Sequence, residues 1–251
     1  MAQQVPLSSV YNAIRILREF TLEDEELGIT ELSQRLGLAK STIFRLVNTL
    51  YGNNLVEKNM HTHKYHLGIG AFELGFAAYH RNELRLIAYP LLNKLMSTVR
   101  EAVHLAVYDH GEIVFLSKMV PDYHQGTVSK IGKRIPSYCS ASGKVLLANQ
   151  SEQEIDRVIQ QGLYRHTPKT ITDGQTLTEH LRDVLKNGYA IGLSEYNESV
   201  CSIAVPVYND TGQVIAAISL AMIKSYLYPA QIQNYVKELK TYSRLITERL
   251  S

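Results

Sequence analysis

The sequence predicts an α+β protein in two parts, a small N-terminal helical unit closed by a hairpin and a larger C-terminal unit on an antiparallel sheet. Apolar residues first recur at helical spacing in three successive segments, up to Tyr51. Two short strand-like runs around a polar tip follow, Leu55-Val56-Glu57 and Lys64-Tyr65-His66-Leu67. Beyond them, β-rich runs pair across the turn signals Asp109-His110-Gly111-Glu112 and Asn209-Asp210-Thr211-Gly212, with helical stretches kept apart from them. Hairpins plus segregated helices are the pattern of an α+β sheet unit.

Composition narrows the classes. A chain of 251 residues with 45% hydrophobic and 20% charged residues is an ordinary folded protein, long enough for two modest domains. Its longest apolar run, Val214 to Ile223, falls short of the ~20 residues a membrane span needs and suits a buried strand. The opening residues show no basic segment followed by an apolar one, so a cytoplasmic chain that uses no membrane is expected. The two cysteines, Cys139 and Cys201, lack metal-ligand spacing and are expected as free thiols. Net charge is only +2, and its distribution says more. From Arg35 to Leu67 the cations Arg35, Lys40, Arg45, Lys58 and Lys64 face Glu57 alone. Such a local excess suits a surface that meets phosphate, and a merely solvated basic face is the alternative.

Taken in order, Val10, Ala13, Ile14, Leu17 and Phe20 predict a first amphipathic helix, and the acidic run Glu23-Asp24-Glu25-Glu26 reads as a loop. Thr30 is the expected N-cap of a second helix that buries Leu32 and Leu36 and stops at Gly37. A third helix runs from about Lys40 to Tyr51, with Ile43, Leu46, Val47 and Leu50 on one face and Ser41, Thr42, Arg45, Asn48 and Thr49 on the other. Helix, tight turn, helix and hairpin is the order of a winged helix-turn-helix, whose second helix lies in the major groove of DNA. The expected DNA-contacting residues are Arg35, Lys40, Ser41, Thr42, Arg45 and Asn48, with His63 and Lys64 from the wing. A three-helix core whose polar face meets only water is the alternative. His61, His63 and His66 do not make a metal set, because His66 points away from the other two and no cysteine or carboxylate completes a tetrahedron.

From Ile69 to about Tyr79 the stripe Ile69, Phe72, Phe76 and Tyr79 has no core of its own and is expected to pack on a partner copy, or else on its own domain. Helices are expected near 141–149, 152–160 and 178–187. A long one from Ala230 to Leu250 turns Ile232, Val236, Leu239 and Ile246 inward. Ser140 can cap a helix that opens Ala141-Ser142-Gly143, and free N–H groups beside such small residues would favour a carboxylate ligand. An ordinary capped helix with Gly143 for close packing is the bland alternative. Gly143-Lys144 is not a phosphate loop, since the spaced first glycine and following Ser/Thr are absent.

Several runs resemble one family in its own order along the chain. Ile29 to Leu46 is similar to the DNA-reading motif of the IclR family, and Tyr65-His66-Leu67-Gly68 to the end of its wing. Ser140-Ala141-Ser142-Gly143-Lys144 resembles its first sensor motif. Gly188-Tyr189-Ala190, Glu195 and Cys201 to Val207 resemble its second. The resemblance implies a ligand-responsive transcription regulator with a winged helix-turn-helix at 1–68, a linker and dimerisation helix at 69–82 and a GAF-like effector domain at 83–251. It further implies a homodimer or tetramer on a double-stranded operator, without cofactor or metal. The effector, a small anionic metabolite, is expected at Ala141 and Ser142, with Val200, Cys201, Ser219 and Ala221 lining the pocket as the resemblance implies. Two departures point to a rearranged pocket. Asn197-Glu198-Ser199 replaces a stretch that often contains glycine, and Gly192 and Leu193 stand where acidic residues are common. Two other readings remain: a GAF-like redox enzyme in which Cys139 and Cys201 meet, and a ligand-binding module without DNA affinity. Neither thiol has a sequence-evident base, which disfavours catalysis.

Overall fold

A computed structural model describes residues 8–21, 23–122, 130–223 and 228–250. The chain divides into two units, Met1–Arg81 and Asn82–Ser251. In the first, α1 (Ser8–Glu19), α2 (Ile29–Leu36) and α3 (Lys40–Gly52) precede the hairpin β1 (Val56–Lys58) and β2 (Tyr65–Leu67), and α4 (Ile69–His80) follows. Ile16, Phe20, Leu32, Leu36, Ile43, Val47, Val56 and Tyr65 form one core. Ile16 is the residue of α1 that turns fully inward, and Phe20 joins it just beyond the end of the helix. Val10 and Ile14 stay 54% and 46% exposed, because α1 is apolar over a wider arc than this small core covers.

The cap of α2 also differs from the expectation. Gly28, not Thr30, is the N-cap, and the Glu31 carboxylate reaches back to accept the Gly28 N–H at 2.7 Å. That return bond starts the helix one turn before Glu31, so the Thr30 hydroxyl is not needed. Gly37, at φ +66°, ends α2 in the left-handed region that favours glycine, which sets the tight turn into α3. Leu27 pairs with Tyr65, tying the hairpin to the loop before α2.

In the second unit, α5 (Glu83–Val99) leads into β3 (Ala102–Asp109), β4 (Glu112–Met119) and the short β5 (Arg134–Pro136). Then come α6 (Ala141–Ala148), α7 (Glu152–Gln160), α8 (Gly174–Asn187), β6 (Ala190–Leu193), β7 (Val200–Tyr208), β8 (Val214–Ile223) and α9 (Pro229–Leu250). The strands form an antiparallel sheet of order β5-β4-β3-β8-β7-β6. Neither β5 nor β6 was expected from the sequence. Helix α5 was not expected either: Pro90 sits inside it, yet Ala88, Leu91, Leu92 and Leu95 are buried. Tertiary packing outweighs one lost backbone bond there.

Helices cover both faces of this sheet. Helices α5 and α9 pack on Val103, Leu105, Cys201, Ile203, Val205, Ile218 and Leu220. Helix α6 lies on the other face against Ala106, Ala204 and Ala217. All eight residues of α6 are buried, so only a small-residue sheet surface lets it sit that close.

Candidate functional site

In the first unit the exposed face of α3 carries Lys40, Ser41, Thr42, Arg45 and Asn48, opposite the buried Ile43, Val47 and Leu50. Phe44 joins that face, half exposed. No side-chain bond caps α3 at Ala39; the Thr42 N–H turns back to the Ala39 carbonyl at 2.9 Å, and the Lys40 and Ser41 N–H groups at the positive end of the helix have no bond among the described residues. The head groups of Lys40 and Arg45 have no partner among the described residues.

Other cations expected on this surface are already engaged. Arg35 makes a two-pronged contact with Asp24 at 2.9 and 3.0 Å and lies 3.7 Å from Glu19. Lys64 donates to Glu31 at 3.0 Å. Asn59 and Thr62 of the wing turn donate to Glu26, and His63 is exposed at φ +56°. The acidic run is therefore more than a loop, since Asp24 and Glu26 brace the motif. Their partners hold both carboxyls below the usual range, with the Arg35 and Asn59 hydrogen bonds the largest causes. Exposed pairs of this kind are worth little, so Arg35 and Lys64 can exchange carboxylate for phosphate.

In the second unit the start of α6 is closed by its own residues. Ser140 accepts the Gly143 N–H at 3.1 Å, as its position predicts, and Ala141 N–H points to Ser202 Oγ at 3.4 Å. A side chain at Gly143 would collide with the backbone of Ser137, so this glycine serves packing and not ligand approach. The expected set of open amide donors is thus narrowed to the Ser142 N–H, which has no bond among the described residues. Ser142 Oγ instead donates to Ser219 Oγ at 2.8 Å, in a buried contact.

Sheet register arranges what surrounds that pair. One cross-strand row on the α6 face runs Lys118, His104, Ser219 and Ala204. The next runs Ala102, Ala221, Ser202 and Gly192. A Cβ at Gly192 would lie 2.7 Å from Ser202 Oγ and 3.0 Å from Ala141 N, so glycine here lets β6 meet the start of α6. Ala141, Ser142 and Ser219 are buried, and Val200 and Ala221 are half-buried on this side.

Cys201 is the correction among the expected pocket residues. It lies in the core beneath α5 and α9, on the opposite face of the sheet from Ser219 and Ala221. Side chains alternate along a strand, so Cys201 cannot share a face with Val200. The same alternation separates Cys201 from Cys139, which packs in the α6 core, so the two thiols do not meet. Burial pushes the Cys139 thiol up to about 12, which suppresses the nucleophilic thiolate.

The sequence reading missed a buried ion pair. Lys144, wholly buried, donates to Glu195 Oε1 at 2.6 Å and to the Ile191 carbonyl at 2.8 Å, with His180 Nε2 at 3.1 Å. Burial lowers the Lys144 pKa while Glu195 opposes that shift. Burial and the neighbouring ammonium lower that of His180. Glu195 Oε1 also accepts from Leu193 N–H, so a carboxylate reaches the segment where Gly192 and Leu193 suggested none. The available signal was one lysine in an otherwise uncharged, apolar helix.

Among the described residues there is no His/Cys/Asp/Glu group arranged to hold a metal and no helix long and apolar enough to cross a membrane. Residues 9–59 match the family model for the IclR helix-turn-helix domain, and residues 76–248 that for the C-terminal domain of bacterial IclR transcriptional regulators. The chain is 34% identical over 245 residues to the HTH-type transcriptional regulator KdgR of Escherichia coli, covering 97% of this chain and 93% of that one. An IclR transcriptional regulator of Alicyclobacillus acidocaldarius superposes with a TM-score of 0.86 at 25% identity, over 98% of this chain and 100% of the other. An IclR homologue of Microbacterium hydrocarbonoxydans, solved with 4-hydroxybenzoate, gives 0.81 at 26% identity over 96% and 98%.

Proposed function

The chain belongs to the IclR family of bacterial transcriptional regulators, and from that premise we propose which of its residues bind DNA, copy and effector. Its helix-turn-helix domain binds DNA and its C-terminal domain is an effector domain. The docking surface proposed is the outer face of α3, with Lys40, Ser41, Thr42, Arg45 and Asn48 in the major groove and His63 and Lys64 of the wing at the backbone. Arg45 carries this reading, being an unpaired guanidinium on a rigid helix with the fork that guanine O6 and N7 accept. Arg35 acts through the Asp24 brace and meets phosphate only by exchange.

The working unit is a homodimer, or a tetramer built from it, on an inverted repeat. Support comes from α4, none of whose residues is buried. Ile69, Phe72, Leu74 and Phe76 are all more than half exposed there, and the Phe72 and Phe76 rings stack at 5.6 Å. A second copy would cover this surface. The effector is a small organic anion held beside Ala141, Ser142, Ser219, Ala221 and Val200. A relative bound to 4-hydroxybenzoate supports a carboxylate. The protein acts in the cytoplasm, where its DNA is, and is not an enzyme.

Operator binding measured with and without metabolites tests this reading. A metabolite changes the affinity of the parent, and Ser142→Leu, which fills the site beside Ser219, loses that response. A Ser142→Leu variant that responds like the parent would remove the effector from the α6 start.

A further inference from the structure

The tip of the N-terminal hairpin is held from outside, by the loop that precedes α2. Strands β1 and β2 pair over three residues each, Val56 with Leu67, Glu57 with His66 and Lys58 with Tyr65. So short a two-stranded ribbon is marginal by itself in water. The turn beyond it, residues 59–64, closes through Asn59 N–H to the Lys64 carbonyl and His63 N–H to the Asn59 carbonyl, both at 2.9 Å. Asn59 Oδ1 accepts the His61 and Thr62 N–H groups at 2.9 and 3.3 Å, and Thr62 Oγ1 accepts that of Lys64 at 3.3 Å. These two side chains shape the turn from within.

Both side chains also reach one carboxylate. Asn59 Nδ2 donates to Glu26 Oε1 at 2.6 Å and Thr62 Oγ1 donates to Glu26 Oε2 at 2.8 Å, across 33 and 36 residues of chain. Each oxygen of Glu26 thus grips a different part of the turn. One residue on, Leu27 and Tyr65 exchange backbone bonds at 2.9 Å in both directions, and Leu27 is buried. That rung fixes where Glu26 stands relative to β2. Beyond the clasp Met60 is 75% exposed, and His61 and His63 are exposed too. A carboxylate beside a surface that meets phosphate repels it within about one Debye length, ~8 Å. The charge of Glu26 therefore works against DNA binding, and any gain it brings comes through the geometry of the turn.

We propose that Glu26 is a positioning residue for DNA binding: its carboxylate clasps Asn59 and Thr62 and holds the wing turn in the shape that meets the backbone beside the groove read by α3. It touches no DNA itself and acts through His63 and Lys64. The proposal rests on the reading that the wing meets DNA. A turn already ordered in the free protein loses less conformational freedom on docking, so affinity is gained without a further contact. Glu26→Gln separates shape from charge. A glutamine amide can accept from Asn59 and donate to Thr62 Oγ1, so it keeps the clasp and drops the charge. Alanine drops both.

Anisotropy titrations and hydroxyl-radical footprints of the full chain test it, on the duplex that the parent selects from a randomised pool. The parent protects the DNA backbone at the groove of α3 and at a flank beside it. Glu26→Ala binds about tenfold more weakly or worse, the scale of re-ordering one or two side chains, and loses the flanking protection while keeping the central one. Glu26→Gln keeps both protections and binds at least as well as the parent. Should Glu26→Ala fail to melt cooperatively, Thr62→Val, which cuts one arm of the clasp, carries the same test. If the alanine and glutamine variants both bind as tightly as the parent or tighter, Glu26 supplies only charge and the positioning role is overturned. It is overturned too if Glu26→Ala loses both protections together, the mark of a merely structural role. A flank lost in Lys64→Ala but kept in Glu26→Ala leaves the wing contact standing and overturns Glu26 alone. A parent that protects no flank, or selects no duplex, removes the wing contact itself and the proposal with it.

Discussion

Removing Lys144 tests how the effector domain is held together. Lys144→Met deletes the ammonium and leaves the Glu195 carboxylate 7% exposed, with Oε2 unbonded and Oε1 keeping only the Leu193 N–H at 3.3 Å. Breaking one side of a buried pair costs about 3–5 kcal/mol, because the remaining charge is uncompensated. A domain of this size loses about 2–4 °C of melting temperature per kcal/mol, so the expected drop is about 6–20 °C. Lys144→Met/Glu195→Leu removes both charges and should recover most of it, since apolar replacements of buried pairs are often neutral. Thermal melts of parent, single and double variants at pH 8 read both. A single variant melting within about 2 °C of the parent at pH 8, or a double variant as unstable as the single, would refute the reasoning.

Three further outcomes are expected. Burying each Phe of α4 against a second copy contributes about 1.5–3 kcal/mol, so Phe72→Ser/Phe76→Ser should weaken the dimer by ~100-fold or more in sedimentation; an unchanged association state would make the stripe irrelevant to assembly. Lys40→Ala should reduce the slope of log affinity against log salt by about 0.9, the value for one phosphate contact. Arg35→Ala, whose guanidinium is held by Asp24, should change it less, and the reverse order would contradict the assigned docking face. Burial raises the Glu101 carboxyl to about 7. Its folded pKa exceeds the unfolded one, so its contribution is full below about 4.5 and is lost as pH rises towards 7. Glu101→Gln should flatten melting temperature against pH over that window, and an unaltered profile would exclude Glu101 as the titrating group.

The first unit was the most legible because its helices carry one-sided stripes at the period of 3.6. Ile43, Val47 and Leu50 alone decide which face of α3 points outward. Helix α5 was not legible, since Pro90 reads as a breaker and only packing of Leu91, Leu92 and Leu95 explains its survival. Of the residues expected to face the effector, Ser142 and Ser219 meet and Ser140 caps the same helix, whereas placing Val200 and Cys201 on one side overlooked the alternation of a strand. Lys144 was hidden for a different reason. Its partner lies 51 residues away, so the contact leaves no local pattern.

Fluorescence anisotropy at physiological salt shows whether α3 reads DNA through Arg45. Labelled DNA from upstream of the protein's own operon is titrated beside a scrambled duplex, with parent and Arg45→Ala protein. The parent should prefer the upstream DNA by ~10³ or more. Arg45→Ala should lose about 1–3 kcal/mol on that DNA and far less on the scrambled one. Equal affinity of parent and Arg45→Ala for both duplexes would contradict that role of Arg45.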